Sequence, residues 1–103
     1  MTAPIIDMGH MQQAAQEATQ MLRVLANENR LLLLCQLSQG EKSVGELETL
    51  LGIRQPTLSQ QLGVLRNEGL VQTRRDGKQI IYRVVDERAQ RLLETLYGMY
   101  CSC

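Results

Sequence analysis

Apolar residues recur along this chain at helical spacing in five places and alternate in one. From about Gln12 to Ala26, the positions Ala14, Ala18, Met21, Leu22 and Leu25 fall on one stripe, which predicts an amphipathic helix. Asn27 is placed to cap a second helix through "RLLLLCQL" that stops at Gly40. Its apolar residues run almost all the way round, as in a central, buried helix. In "SVGELETLLG", Ser43 and Glu46 form a capping box for a short helix ending near Gly52. "IRQ" makes a tight connection, and Pro56 suits the first position of the next helix, "PTLSQQLGVLRNE", which closes at Gly69. Leu58, Leu62 and Leu65 form its buried face at i, i+4, i+7 spacing.

The period then changes. "LVQTRR" and "KQIIYRVV" read as two strands around Asp76-Gly77, a residue pair favoured in tight hairpin turns. Asp86 can cap a last helix with a broad apolar stripe of Ala89, Leu92, Leu93, Leu96, Tyr97 and Tyr100. The expected fold class is therefore mainly α, with the order helix, helix, helix, helix, hairpin, helix. One domain spans 1–103, and residues 1–11 are a flexible N-terminal segment in this reading.

A short capped helix, a Gly-containing turn, a second helix and a basic hairpin together describe a winged helix-turn-helix. The second helix of that motif enters the DNA major groove. With Leu58, Leu62 and Leu65 turned inward, the opposite side presents Thr57, Ser59, Gln60 and Gly63. The polar members can bond bases or phosphates, and Gly63 lets the backbone come close. Gln55, just before the helix, is placed to donate to a phosphate. Arg74, Arg75, Lys78 and Gln79 surround the hairpin turn, within reach of phosphates or a minor groove. The bland alternative is a polar helix face beside a soluble hairpin, but caps, turn, polar face and basic wing all agree.

Charge sharpens this picture. The formal net charge is zero, yet between Ile53 and Arg83 six cations (Arg54, Arg66, Arg74, Arg75, Lys78 and Arg83) face only Glu68 and Asp76. That segment carries +4 and the remainder −4. A basic cluster beside a DNA-binding motif fits a nucleic-acid footprint. Phe and Trp are absent, so Leu, Val, Ile and Met must fill the interior. No apolar run is long enough to span a membrane and no signal peptide is evident, so a cytoplasmic location is expected. There thiols stay reduced, and any disulfide is a regulated event. The expected protein needs no cofactor. An enzymatic reading finds no acid–base constellation and no phosphate loop, and the terminal Cys-x-Cys differs from the Cys-x-x-Cys redox motif.

The stretch "SVGELETLLGIRQPTLSQQLGVLRNEGLVQTRRDGKQIIYRV" closely resembles the ArsR/SmtB family of bacterial winged-helix repressors, and the resemblance covers nearly the whole chain. It implies a homodimer formed through the outer helices, about Gln12–Ala26 and Asp86–Tyr100, on double-stranded, palindromic operator DNA. The apolar stripes of both outer helices exceed what one small core needs, which supports pairing independently. Half-sites about one helical turn apart follow from two-fold symmetry.

Many members of this family sense metals. One class carries Cys-x-Cys where this chain has "ELETLL", and another uses Asp and His on the last helix, where this chain has no His. A zinc site on those patterns is not expected, and His10, the single histidine, reads as a solvent-exposed residue. What remains is Cys35 on the second helix and Cys101 at the end of the last. With "SVGELE", "QPTLSQQLGVLR" and "YxxYC" around them, these cysteines are similar to the BigR/HlyU/SqrR branch. That resemblance implies a dithiol switch for reactive sulfur species or oxidants, in which a disulfide or polysulfide bridge between the two sulfurs releases DNA. The inducer so implied is a persulfide, a polysulfide or an oxidant. On physical grounds alone Cys35 reads as a packing residue. Cys103 departs from the two-cysteine pattern: it is a spare thiol, an exchange partner of Cys101, or a third ligand. In the last case Cys35, Cys101 and Cys103 would bind a thiophilic ion such as As(III), Cd(II) or Cu(I). A further alternative is an activator that displaces a silencer, as HlyU-like relatives do.

Overall fold

The structure, a computed structural model, describes residues 7–101. The elements are α1 (Met8–Leu25), α2 (Glu28–Ser38), β1 (Lys42–Ser43), α3 (Val44–Leu51), α4 (Gln55–Asn67), β2 (Val71–Asp76), β3 (Gln79–Val84) and α5 (Glu87–Tyr100). Four of the five helix N-termini are fixed by side chains that satisfy orphan N–H groups. Asn27 Oδ1 accepts from the Arg30 N–H at 3.0 Å, and Asp86 Oδ1 from the Ala89 N–H at 2.9 Å. The capping box is present in both directions: Glu46 N–H donates to Ser43 Oγ (3.1 Å) and Ser43 N–H to Glu46 Oε1 (2.9 Å). Gly52 closes α3 in the left-handed conformation, φ +66°, where an L side chain would be strained.

Three boundaries differ from the sequence pattern. Helix α1 starts at Met8 rather than Gln12, because Asp7 caps it by accepting from the His10 N–H at 2.9 Å. Thus Met8–Met11, in the segment expected to be flexible, are helical and exposed, while residues 1–6 lie outside the described residues. Pro56 is the second rather than the first residue of α4, since Gln55 is already helical. Its missing N–H costs nothing there, because first-turn N–H groups have no intrahelical acceptor. The third difference is β1, which pairs with β3 (Lys42↔Tyr82, Ser43↔Ile81) to make a sheet of order β1-β3-β2. Two residues are too few to show alternation, so this strand left no mark in the sequence.

The core gathers Leu33, Leu34 and Leu37 of α2, Leu47 of α3, Leu58, Leu62 and Leu65 of α4, and Ala89 and Leu93 of α5, with Val24 and Leu25 closing one side. Helix α2 is central as expected, although Leu32 turns outward and is exposed. The outer helices bury much less of their stripes. On α1 only Leu25 of the expected stripe is buried, Met21 is half-buried, and Ala14, Ala18 and Leu22 are exposed. On α5, Ala89 and Leu93 are buried, Leu92 and Leu96 half-buried, and Tyr97 and Tyr100 exposed. A single chain has no further layer to cover them. Among the described residues, no helix is long and apolar enough to cross a membrane.

Candidate nucleic-acid interface and thiol pair

Helices α3 and α4 meet through the Gly52 turn, and the three buried leucines of α4 fix which of its sides faces out. Ser59 and Gln60 are exposed, while Thr57 and Gly63 are half-buried at the edge of that face. Gly63 has no steric reason within the chain: a Cβ built on it would meet no atom within 4 Å. Gln55 and Ser59 are already engaged. Gln55 Nε2 donates to Glu48 Oε2 on α3 at 2.8 Å, and Ser59 Oγ donates to Gln55 Oε1 at 3.0 Å. This chain of bonds fixes the Gln55 amide at both ends and leaves one of its N–H donors and the Ser59 lone pairs for an outside partner. Glu48 had no signature in the sequence, because only the fold of the turn brings it beside a residue seven positions on.

Strands β2 and β3 form the wing, in register Arg74↔Ile81, Arg75↔Ile80 and Asp76↔Gln79, with Gly77 at φ +66° in the turn. Arg75, Lys78 and Gln79 are exposed around the tip. Arg74 is held differently from its neighbours. Its Nη2 lies 2.6 Å from Glu41 Oε1 and its Nε 3.4 Å from Glu41 Oε2, a two-pronged ion pair with the loop before β1. The hydrogen bond from Arg74 holds the Glu41 carboxyl below its ordinary range, and the pairing raises the Arg74 guanidinium in turn. Both partners are about half exposed, so the pair is weak and open to exchange with another anion.

A second polar link escaped the sequence pattern altogether. Arg30, at the start of α2, donates through Nε to the Val24 carbonyl (2.7 Å), through Nη2 to the Arg23 carbonyl (3.2 Å) and through Nη1 to Gln61 Oε1 on α4 (2.9 Å).

The thiols lie where α2 and α5 pack together. Cys35 is half-buried against the core, and its carbonyl accepts from Ser38 Oγ at 2.7 Å. Cys101 is exposed and caps α5, its N–H donating to the Tyr97 carbonyl at 2.8 Å. Burial pushes the Cys35 thiol up from its ordinary pKa, and charge on Cys101 acts in the same direction. Cys103 lies outside the described residues, and among those described no group of three or more His, Cys, Asp or Glu gathers to hold a metal ion. His10 is exposed on α1.

Between α1 and α5 runs an open groove of about 540 Å³. Ala14, Ala18, Met21, Leu22 and Leu92 line it, and Arg88 pairs across it with Glu17 at 3.2 Å.

Comparison with known proteins agrees with this arrangement. Residues 27–73 match the family model "bacterial regulatory protein, arsR family". The chain is 56% identical over 92 residues to the biofilm growth-associated repressor of Agrobacterium fabrum, covering 89% of this chain and 79% of that protein. The crystal structure of the transcriptional repressor BigR from Xylella fastidiosa superposes with a TM-score of 0.86 at 48% identity, covering 95% of this chain and all of that one. Reduced HlyU from Vibrio cholerae superposes with a TM-score of 0.87 at 38% identity, covering 89% and 97%.

Proposed function

The chain belongs to the ArsR family of bacterial regulatory proteins and is a winged-helix transcriptional regulator, not an enzyme; from that premise we propose that it is a repressor switched by reactive sulfur or oxidants through Cys35 and Cys101. The observation that carries this reading is the placement of the two cysteines, Cys35 half-buried on α2 and Cys101 exposed at the end of α5, the helix that packs against α2. In the reduced protein, α4 enters the major groove of double-stranded operator DNA. Thr57, Ser59, Gln60 and Gly63 face the bases, Gln55 meets a phosphate, and Arg74, Arg75, Lys78 and Gln79 of the wing reach phosphates or a minor groove. A second copy covers the apolar groove between α1 and α5, which makes a two-fold dimer in the cytoplasm that reads a palindrome.

The chemistry follows from the unequal thiols. Cys101 is exposed, whereas Cys35 is half-buried with its pKa raised by burial, so Cys101 is the thiol that attacks first. It takes the outer sulfur of a persulfide RSSH, releases RS⁻ and becomes Cys101–S–SH. The Cys35 sulfur, on losing its proton, attacks the inner sulfur and expels hydrosulfide. Two thiols and RSSH thus give the Cys35–Cys101 disulfide, RSH and hydrogen sulfide. Insertion of a further sulfane sulfur gives a polysulfide bridge, which relaxes the demand that Cα atoms lie roughly 4.4–6.8 Å apart. Either bridge ties α5 to α2, and α2 packs directly on α4. The expected result is release of operator DNA.

Persulfide treatment followed by intact-mass and peptide mass spectrometry tests the switch. The Cys35–Cys101 link should appear as DNA is released, and Cys35→Ser should bind constitutively. Release by arsenite or cadmium with the two cysteines unlinked would instead favour a thiophilic-ion sensor using Cys35, Cys101 and Cys103. The 36% identity to the transcriptional activator HlyU of Vibrio cholerae favours a second reading, in which the bound protein activates. A promoter reporter in a deletion strain separates the two by the sign of its change.

A further inference from the structure

We infer that Arg30 is a positioning residue that sets the angle of the recognition helix α4 against α1, and so the spacing at which two copies read DNA. The inference rests on the reading of α4 as the DNA-reading helix and α1 as a dimer helix. Arg30 touches three helices at once. It belongs to the first turn of α2, its Nε and Nη2 hold the last carbonyls of α1 at 2.7 and 3.2 Å, and its Nη1 holds Gln61 of α4 at 2.9 Å. In its own helix a cation so near the N-terminus opposes the macrodipole, whereas at the C-terminus of α1 it is favoured. Its position therefore serves the junction rather than α2. The guanidinium is planar, with donors in a rigid fork, so three bonds fix direction as well as distance.

A second bond spans the same two helices. Gln20 Nε2 of α1 donates to Glu68 Oε2, at the C-cap of α4, at 2.9 Å. Val24 and Leu25 of α1 share the core with the α4 leucines, and these polar links add direction to that non-directional apolar packing. Gln61 sits on α4 between the buried leucines and the exposed Gln60, outside the set assigned to DNA. The Arg30 fork thus joins the dimer layer to the DNA-reading layer within each copy.

The test uses the full chain and a duplex that the wild-type protein selects from a random library. Affinity is measured by fluorescence anisotropy on that duplex, on versions with one base pair added or removed between half-sites, and on random DNA. One base pair rotates one half-site by roughly 35° and moves it about 3.4 Å. Arg30→Ala removes the cap of α1 as well and risks unfolding, so Gln61→Leu is the main variant. It should weaken binding at the selected spacing by about tenfold, within the range by which a residue that couples two sites shifts affinity. It should also shrink the penalty for the one-base-pair changes with random-DNA affinity held, while the lost bond lowers the thermal midpoint modestly. Gln61→Glu, which keeps an acceptor for the guanidinium, should restore the spacing preference. An unchanged spacing penalty in Gln61→Leu, with wild type showing one, overturns the role of Arg30 alone. A wild-type protein indifferent to spacing overturns the paired-helix reading and this inference with it. Equal losses on the selected, respaced and random duplexes mean a merely structural bond, and also overturn the inference.

Discussion

Gly63→Ala should move stability and DNA binding in opposite directions. Gly63 lies inside α4 with helical backbone, and a Cβ there would meet no atom within 4 Å. Within the chain, alanine is therefore the better residue. Removing a helix-interior glycine stabilises by roughly 0.8–1.0 kcal/mol, because the unfolded chain has fewer conformations to lose. For a domain of about 100 residues, that raises the unfolding midpoint by roughly 4–8 °C. The methyl group would stand on the edge of the α4 face assigned to DNA, where closest approach of backbone to base edges is needed. An obstruction of that kind should weaken operator binding by about tenfold, or roughly 1.4 kcal/mol. Thermal unfolding followed by circular dichroism at one fixed protein concentration gives the first quantity. Anisotropy titration of labelled operator gives the second. Unchanged affinity with a raised midpoint would remove Gly63 from the interface. A lowered midpoint would refute the packing argument itself.

Alkylation of Cys35 by iodoacetamide should be slow at neutral pH and rise with pH, because its raised pKa keeps it a thiol until the solution passes that value. Cys101→Ser should speed the reaction, since one of the two causes is removed, yet burial should keep it slower than an ordinary thiol; peptide mass spectrometry reads both, and equal rates would refute the assignment. Glu41→Gln releases Arg74 from its ion pair, so DNA affinity should rise and the slope of log K against log salt should steepen by up to about one. An unchanged slope means that Arg74 stays off the phosphates. Gln60→Ala should relax base preference, whereas Arg75→Ala should weaken binding to all sequences and flatten the salt slope by about one. Equal losses on specific and random duplexes for Gln60→Ala would remove it from base reading.

The sequence alone determined the five helices, the hairpin and their order, because local signals carry them. Asn27, Ser43 with Glu46, Asp86 and Asp76-Gly77 act on backbone groups within a few residues, and each sits where the pattern places it. The buried face of α4 was equally legible, since Leu58, Leu62 and Leu65 share a helical side. Only the tertiary structure decided what long-range partners do. It paired two residues of β1 with β3, set Glu41 on Arg74 and Glu48 on Gln55, and drew Arg30 to Gln61 across three helices. Such contacts depend on the angles at which helices pack, which no local spacing encodes. The thiols show the division most clearly. The residues around Cys35 and Cys101 suggested a pair by resemblance, but their neighbourhood exists only because α5 folds back onto α2, where burial and the Cys101 charge make the two sulfurs chemically unequal.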